Sequence, residues 1–210
     1  MAKKVIIPII IVLLLGVGGV FWWWQEYQEN KKFGEMTVGE LLHFRVLPKG
    51  FTIDEIPDYK VLTNKDLGIN FSVLADWEVV GYMDNFIDLK SPDYKVDPET
   101  FDRIKGCLIT VEVSYYTLFT SSNLINRIDQ IQKGNIQSEN EEVIKISGHD
   151  ALKTIRKGEW LSKEGIKEII EVGIPFVDAK AEVKFSTKIF ENEIKCTQEF
   201  DKFLETLSIQ

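Results

Sequence analysis

Cysteine and histidine each occur only twice in the 210 residues, and that scarcity removes several chemistries at once. Cys107 and Cys196 are far apart and neither belongs to a CxxC, so the ligand spacing of a structural zinc site is missing. A serine hydrolase needs a nucleophile, a base and an orienting acid, but there is no GxSxG, and His43 and His149 are the only imidazoles. GxGxxG and Walker loops are absent, which leaves nucleotide binding without support. Positive charge is in deficit as well: 25 Lys and Arg face 33 Asp and Glu, a formal net charge of −8. A surface of that sign repels the phosphate backbone, so nucleic acid is not an expected partner. No cofactor is expected.

Charge is wholly missing from Val5 to Trp24 (VIIPIIIVLLL then GVGGVFWWW). At about 1.5 Å per residue this run covers the roughly 30 Å hydrocarbon core of a bilayer. Lys3 and Lys4 precede it, whereas Glu26 and Glu29 follow, so the positive-inside preference puts Met1 in the cytoplasm and the remainder of the chain outside. Trp22, Trp23 and Trp24 close the run at the level where amphipathic rings favour the headgroups. The competing reading is a signal peptide cleaved near Gly18 or Gly19, but the run exceeds the usual apolar core of about 7 to 15 residues, and three Trp occupy the place of a polar flank. Residues 1–24 are therefore expected to be a transmembrane anchor. Lys3 and Lys4 are its only charges, so removing them from −8 leaves −10 on the remainder.

Residues 25–58 combine a charged start (QEYQENKK), a short amphipathic stretch at Val38 to Leu47 and the turn formers Pro48, Gly50 and Pro57, which suggests a stalk with limited order. His43 falls in it with no partner in view. A folded domain is expected over 59–210. Ile69, Phe71 and Val73 alternate with Asn70 and Ser72, and CLITVEVSYY places Ile109, Val111, Val113 and Tyr115 on one side. Both are strands by their period of two, and they are expected to pair. Between them, Leu89 to Arg103 is rich in Pro and Asp and suggests a surface loop. Its acids Asp93, Asp97, Glu99 and Asp102 lack the EF-hand spacing and glycine.

Leu124, Ile125, Ile128 and Ile131 fall at helical spacing, with Ser121 or Ser122 as N-cap and Gly134 as stop. Strands follow in EEVIKISGHDALKTIRKG, KEIIEVGIPF and AEVKFSTKIF. In the last, Val183, Phe185, Thr187 and Ile189 define one face. Phe200, Phe203, Leu204 and Leu207 outline a closing helix with Thr197 as N-cap. The order of elements is that of an α+β fold, an antiparallel sheet with helices packed on its faces.

Three segments then carry a resemblance. GINFSVLADWEVV at Gly68 to Val80, VIKISGHDALKTI at Val143 to Ile155 and FDKFLETLSI at Phe200 to Ile209 resemble, in order, the opening strand, the strand-turn-strand and the last helix of PsbP-like domains of the Mog1/PsbP fold. Gly68, Phe71 and Trp77 fit the opening motif, while Val73 and Leu74 replace its aromatic residue and proline. The resemblance implies an α/β/α sandwich and a family in which many members are accessory or assembly factors of larger complexes. It brings no catalytic or metal residues, and no motif here supports the photosystem partner of the photosynthetic members.

Cys107 and Cys196 have two readings. Outside the cytoplasm a disulfide is permitted, closing a loop of about 90 residues and contributing roughly 4 to 5 kcal/mol. Otherwise they are separate buried thiols. The expected function is a membrane-anchored extracytoplasmic accessory or protein-interaction domain, its partners being the lipid bilayer and a protein at the same membrane. The alternative is a small-ligand or hydrolytic cleft at His149, with Asp150 beside it, or at the acidic loop around Asp97.

Overall fold

The computed structural model describes residues 47–82, 85–99, 103–115, 123–190 and 194–210. Lys3, Lys4, Trp22, Trp23, Trp24, His43 and the linker up to residue 46 lie outside them. Among the described residues no helix is long and apolar enough to cross a membrane.

The first strands are β1 (Phe51–Glu55), β2 (Tyr59–Asn64), β3 (Ile69–Leu74), β4 (Glu78–Tyr82) and β5 (Phe86–Lys90). A short pair β6 (Lys95–Val96) and β7 (Arg103–Lys105) leads to β8 (Leu108–Tyr115) and helix α1 (Asn123–Gln132). Then come β9 (Glu141–Ile146), β10 (His149–Arg156), α2 (Glu159–Lys163), β11 (Ile166–Phe176) and β12 (Ala181–Phe190). Helix α3 (Ile194–Glu205) and β13 (Ser208–Ile209) close the chain. A seven-stranded sheet has the order β4-β5-β8-β12-β11-β10-β9, and a four-stranded sheet has the order β1-β2-β3-β13. Every pairing is antiparallel, and with few helices the fold is α+β.

Side-chain alternation sets which face each strand buries. In β12, Ala181, Val183, Phe185, Thr187 and Ile189 are all buried, beside Ile109, Val111 and Val113 of β8. The small sheet brings Phe71 to 5.8 Å from Phe185, and α3 brings Phe203 to 5.4 Å from Phe71. Phe71, Phe185 and Phe200 are fully buried, each such ring contributing about 1.5 to 3 kcal/mol by transfer alone. The opposite face of the large sheet meets α1. Gly173 alternates with buried Val172 and Ile174, and on its side Leu124 approaches so closely that a Cβ there would meet it at 3.1 Å. Helices α1 and α3 thus cover opposite faces.

Two local features are set by backbone chemistry. Ser147 and Gly148, both at positive φ, make the two-residue turn joining β9 to β10, and the Ser147 hydroxyl donates to the Leu207 carbonyl at 2.8 Å. Asn64, fully buried, accepts from the Asp66 and Leu67 amides and donates to the Lys49 carbonyl, which fastens the start of the domain to the β2–β3 turn.

Several expectations are corrected. The domain does not begin at Tyr59. Residues 51–55, assigned to the stalk, form β1 in full register with β2, and Phe51 enters the core 6.0 Å from Phe71. Pro48, Gly50 and Pro57 bound a strand rather than prevent one. β3 and β8 are not partners, because the chain turns at Ala75 and Asp76 and crosses to the other sheet as β4. A period of two reports the buried face, not the neighbour. Helix α3 starts at Ile194, three residues before Thr197, and Ser208 and Ile209 leave it to pair with β3. The segment after Lys90 is partly ordered as the β6–β7 pair.

Candidate functional site

A groove runs along one end of the domain, built from pieces remote in sequence. Its first part is a cavity of about 420 Å³ between the Leu74–Trp77 turn, the Ser91–Asp93 turn, the Lys105–Cys107 segment and the start of α3. The second, about 270 Å³, lies between β3 and α3, with Val73, Trp77 and Phe203 as its apolar floor. Leu74, Trp77 and Glu199 border both. Helix periodicity explains the α3 wall: Lys195, Glu199 and Lys202 follow i, i+4, i+7 on the groove side, while Cys196, Phe200 and Phe203 take the core side.

Hydrogen bonds hold the walls. The Ser91 hydroxyl donates to Asp93 Oδ1 at 2.7 Å and accepts the Cys107 amide at 2.7 Å, while the Ser91 amide donates to the Cys107 carbonyl at 2.9 Å. The Ser91 hydroxyl thus links the Ser91–Asp93 turn to the Cys107 backbone. Its hydrogen bond to Asp93, joined by the charges of Lys195 and Lys105, holds the Asp93 carboxyl below the ordinary value of 3.8. Gly106 sits at φ +88°, and a Cβ there would stand 2.4 Å from the Tyr94 Cα, so only glycine lets the two segments meet. On the β3 wall, the Thr206 hydroxyl bonds both the amide and the carbonyl of Ser72 at 3.1 Å. The Lys60 ammonium donates to the Trp77 carbonyl at 2.6 Å.

Cys107 and Cys196 are joined by a disulfide in the structure, with a Cα–Cα distance of 5.1 Å. Both are buried, and the Thr187 hydroxyl lies 3.3 Å from the Cys196 sulfur. The bond fixes the first turn of α3 to the start of β8 and so sets one end of the groove.

Large apolar side chains stand exposed at the other end. Ile56 and Tyr59 flank the Pro57–Asp58 turn, and Leu74 is directly opposite Tyr59 in the ladder. Their exposures are 49, 42 and 46 %, high for side chains of this size in one cluster. Leu74 carried a signal in the sequence, since it breaks the polar series Asn70, Ser72 on the outward face of β3. Tyr59, Lys195, Glu199 and Lys202 carried none, because nothing in a linear reading joins β2 to α3.

Of the acidic-loop residues, Asp93 lines the groove, whereas Asp97, His149 and Asp150 lie elsewhere. His149 is exposed at the first position of β10, opposite Ile146. Asp150 is bound by Lys145 at 2.8 Å, and hydrogen bonds from Lys145 and Gln132 keep its carboxyl below the ordinary value of 3.8. Asp97 accepts the Glu99 amide at 2.8 Å in a local turn. Neither His149 nor Asp97 lines the groove. Asp102 lies outside the described residues, among which no group of three metal-ligating side chains converges.

No protein-family model matches this sequence, and no curated protein matches it. Among solved structures, the chain is similar to the cyanobacterial PsbP protein CyanoP from Synechocystis sp. PCC 6803, at 9 % identity and a TM-score of 0.45, covering 74 % of this chain and 95 % of that one. A second similarity, to a crystal structure from Bacteroides thetaiotaomicron VPI-5482, has 12 % identity and a TM-score of 0.41 and covers 68 % of this chain. This chain spans 45 % of the length of that one.

Proposed function

We propose that this chain is a membrane-anchored extracytoplasmic accessory domain that acts by binding a protein at the same membrane rather than by catalysis. The observation that carries the reading is the cluster of Ile56, Tyr59 and Leu74, exposed beside a preformed groove with Trp77 in its floor. Contiguous exposed apolar side chains next to a concavity are the mark of an interaction surface. Location rests on two further supports. The uncharged run from Val5 to Trp24 is long enough to span a bilayer, with Lys3 and Lys4 inside and Trp22, Trp23 and Trp24 as the outer belt. A disulfide between Cys107 and Cys196 suits an oxidising compartment.

The test is co-purification from detergent-solubilised membranes at native abundance, combined with protease protection of intact cells or spheroplasts. The proposal expects a C-terminal domain accessible from outside, a tether in the membrane fraction and a stoichiometric protein companion. A domain that emerges alone, or one digested only after the membrane is opened, contradicts it.

A further inference from the structure

The Cys107–Cys196 bond joins two pieces of chain that are each held by other means. On the β8 side, the Cys107 amide donates to the Ser91 hydroxyl at 2.7 Å and the Cys107 carbonyl accepts the Ser91 amide at 2.9 Å. On the other side, α3 is fixed beyond its first turn: Phe200 and Phe203 are buried in the core, Thr206 bonds Ser72, and the Gln210 amide donates to the Gly68 carbonyl at 2.9 Å. From Lys195 to Glu199, Cys196 alone is buried. The disulfide is therefore the main tie of the first turn and a dispensable one for the rest of the helix.

Both sulfurs also have acceptors in place for the dithiol state. The Thr187 hydroxyl donates to the Leu108 carbonyl at 2.8 Å, which leaves its lone pairs for the Cys196 sulfur 3.3 Å away. The Cys107 sulfur lies 3.7 Å from the Cys196 carbonyl oxygen. A thiol at either position has a partner, so opening the bond strands no buried donor. Both cysteines line the cavity of about 420 Å³, and Lys105 and Lys195, close to them in sequence, stand exposed on its rim. The carboxylates of Asp76, Asp93 and Glu199 line the same cavity, Asp93 being the one engaged by the Ser91 hydroxyl.

We infer that Cys107–Cys196 is a redox-operated clasp, opened from the cavity by a dithiol reductant, that releases the first turn of α3 while the rest of the fold stays in place. A thiolate of the reductant attacks one cysteine sulfur, the S–S bond breaks and the other cysteine leaves as a thiolate. The second thiol of the reductant then attacks the mixed disulfide, so the reductant departs as a disulfide and both cysteines are reduced, a transfer of two electrons and two protons. Lys105 and Lys195 stabilise the thiolates as they form. Lys195 and Glu199 travel with the freed turn, so one wall of the groove changes with redox state. Ser91 on one side and Phe200 on the other keep the sulfurs close, and the reverse exchange with a disulfide recloses the bond within the chain. The clasp does not depend on what the groove binds, so it stands or falls apart from the interaction reading.

The experiment uses the full chain in nanodiscs of neutral phosphatidylcholine, without denaturant, in buffers of reduced and oxidised dithiothreitol. Gel shift with a maleimide polymer counts thiols, circular dichroism follows the sheets, and hydrogen exchange reads the amides of Gln198, Glu199 and Phe200, which donate to first-turn carbonyls. On reduction both thiols should appear together with the dichroism unchanged. Exchange at those three amides should rise about 10-fold or more while that of Phe203 to Glu205 stays as it was, and oxidised dithiothreitol should restore the starting pattern. Cys107→Ala with Cys196→Ala should show the exchange of the reduced chain. Thr187→Val removes a thiol acceptor and should shift the equilibrium about 3-fold or more towards the disulfide, since its lost bond to Leu108 is common to both states. Lys105→Gln with Lys195→Gln should slow reduction about 3-fold or more at low salt. A chain that yields its thiols only in urea strong enough to unfold it overturns the inference, because the bond is then a sealed structural link. So does a reduced chain that loses its sheet signal, or one whose α3 exchanges as in the oxidised form.

Discussion

Replacing Cys107 and Cys196 together by alanine tests how far the groove depends on covalent closure. The bond links the start of β8 to the first turn of α3 over a sequence separation of 89, so its removal frees a very long loop in the unfolded chain. In the chain-entropy model that closure contributes about 4 to 5 kcal/mol. The folded side adds little to this figure, because both positions are buried next to existing backbone and the side chains removed are small. Domains of ordinary stability have about 5 to 15 kcal/mol in all, so the loss is about a quarter or more of the total. Urea unfolding of the full chain in neutral detergent, followed by circular dichroism of the strands, measures it. With a slope of about 2 kcal/mol per molar, the midpoint should fall by about 2 M, and wild type held reduced should fall alongside it. A shift under about 0.5 M in both cases would refute the loop-closure reasoning.

Gly106→Ala should cost about 2 to 4 kcal/mol in the same assay, since it combines positive φ with a Cβ driven into the Tyr94 backbone; a neutral result would mean that the two segments can part. Phe203→Ala empties a site shared with Phe71, Phe185 and Phe200 and should cost about 3 to 5 kcal/mol, read as a matching fall in the urea midpoint. Asp93, held below its ordinary 3.8 mainly by the Ser91 hydroxyl, contributes stability that is present above that value and lost as pH falls through the lower folded value. Asp93→Asn should therefore make stability fall less steeply below about pH 4, and an unchanged slope there would count against the Ser91 link.

Faces were legible in the sequence, while neighbours and ends were not. Val183, Phe185, Thr187 and Ile189 alternate without interruption, and all four are buried as the period implied. Helix α1 stops before Gly134, whose φ of +72° suits the residue that was read as its terminator. Phe51 was missed because the short pattern FTIDE is enclosed by Pro48, Gly50 and Pro57, and turn formers look alike whether they interrupt a linker or bound a strand. The β3–β8 error has a different cause: both strands bury one face in the same core, but they belong to different sheets. The groove was illegible for the same reason. Leu74, Glu199 and Lys105 converge through the tertiary path of the chain, and only the outward Leu74 broke a local rule.

Site-specific photocrosslinking in living cells reports which proteins touch the groove. A photoreactive phenylalanine analogue placed at Leu74 lies at the mouth of the groove, and the same group at Trp160 lies on α2, where 56 % of the native side chain is exposed. A protein-binding groove gives a discrete adduct with one membrane-associated protein from position 74 and none from position 160. Adducts from position 160 alone, or none from either at native abundance, would contradict it.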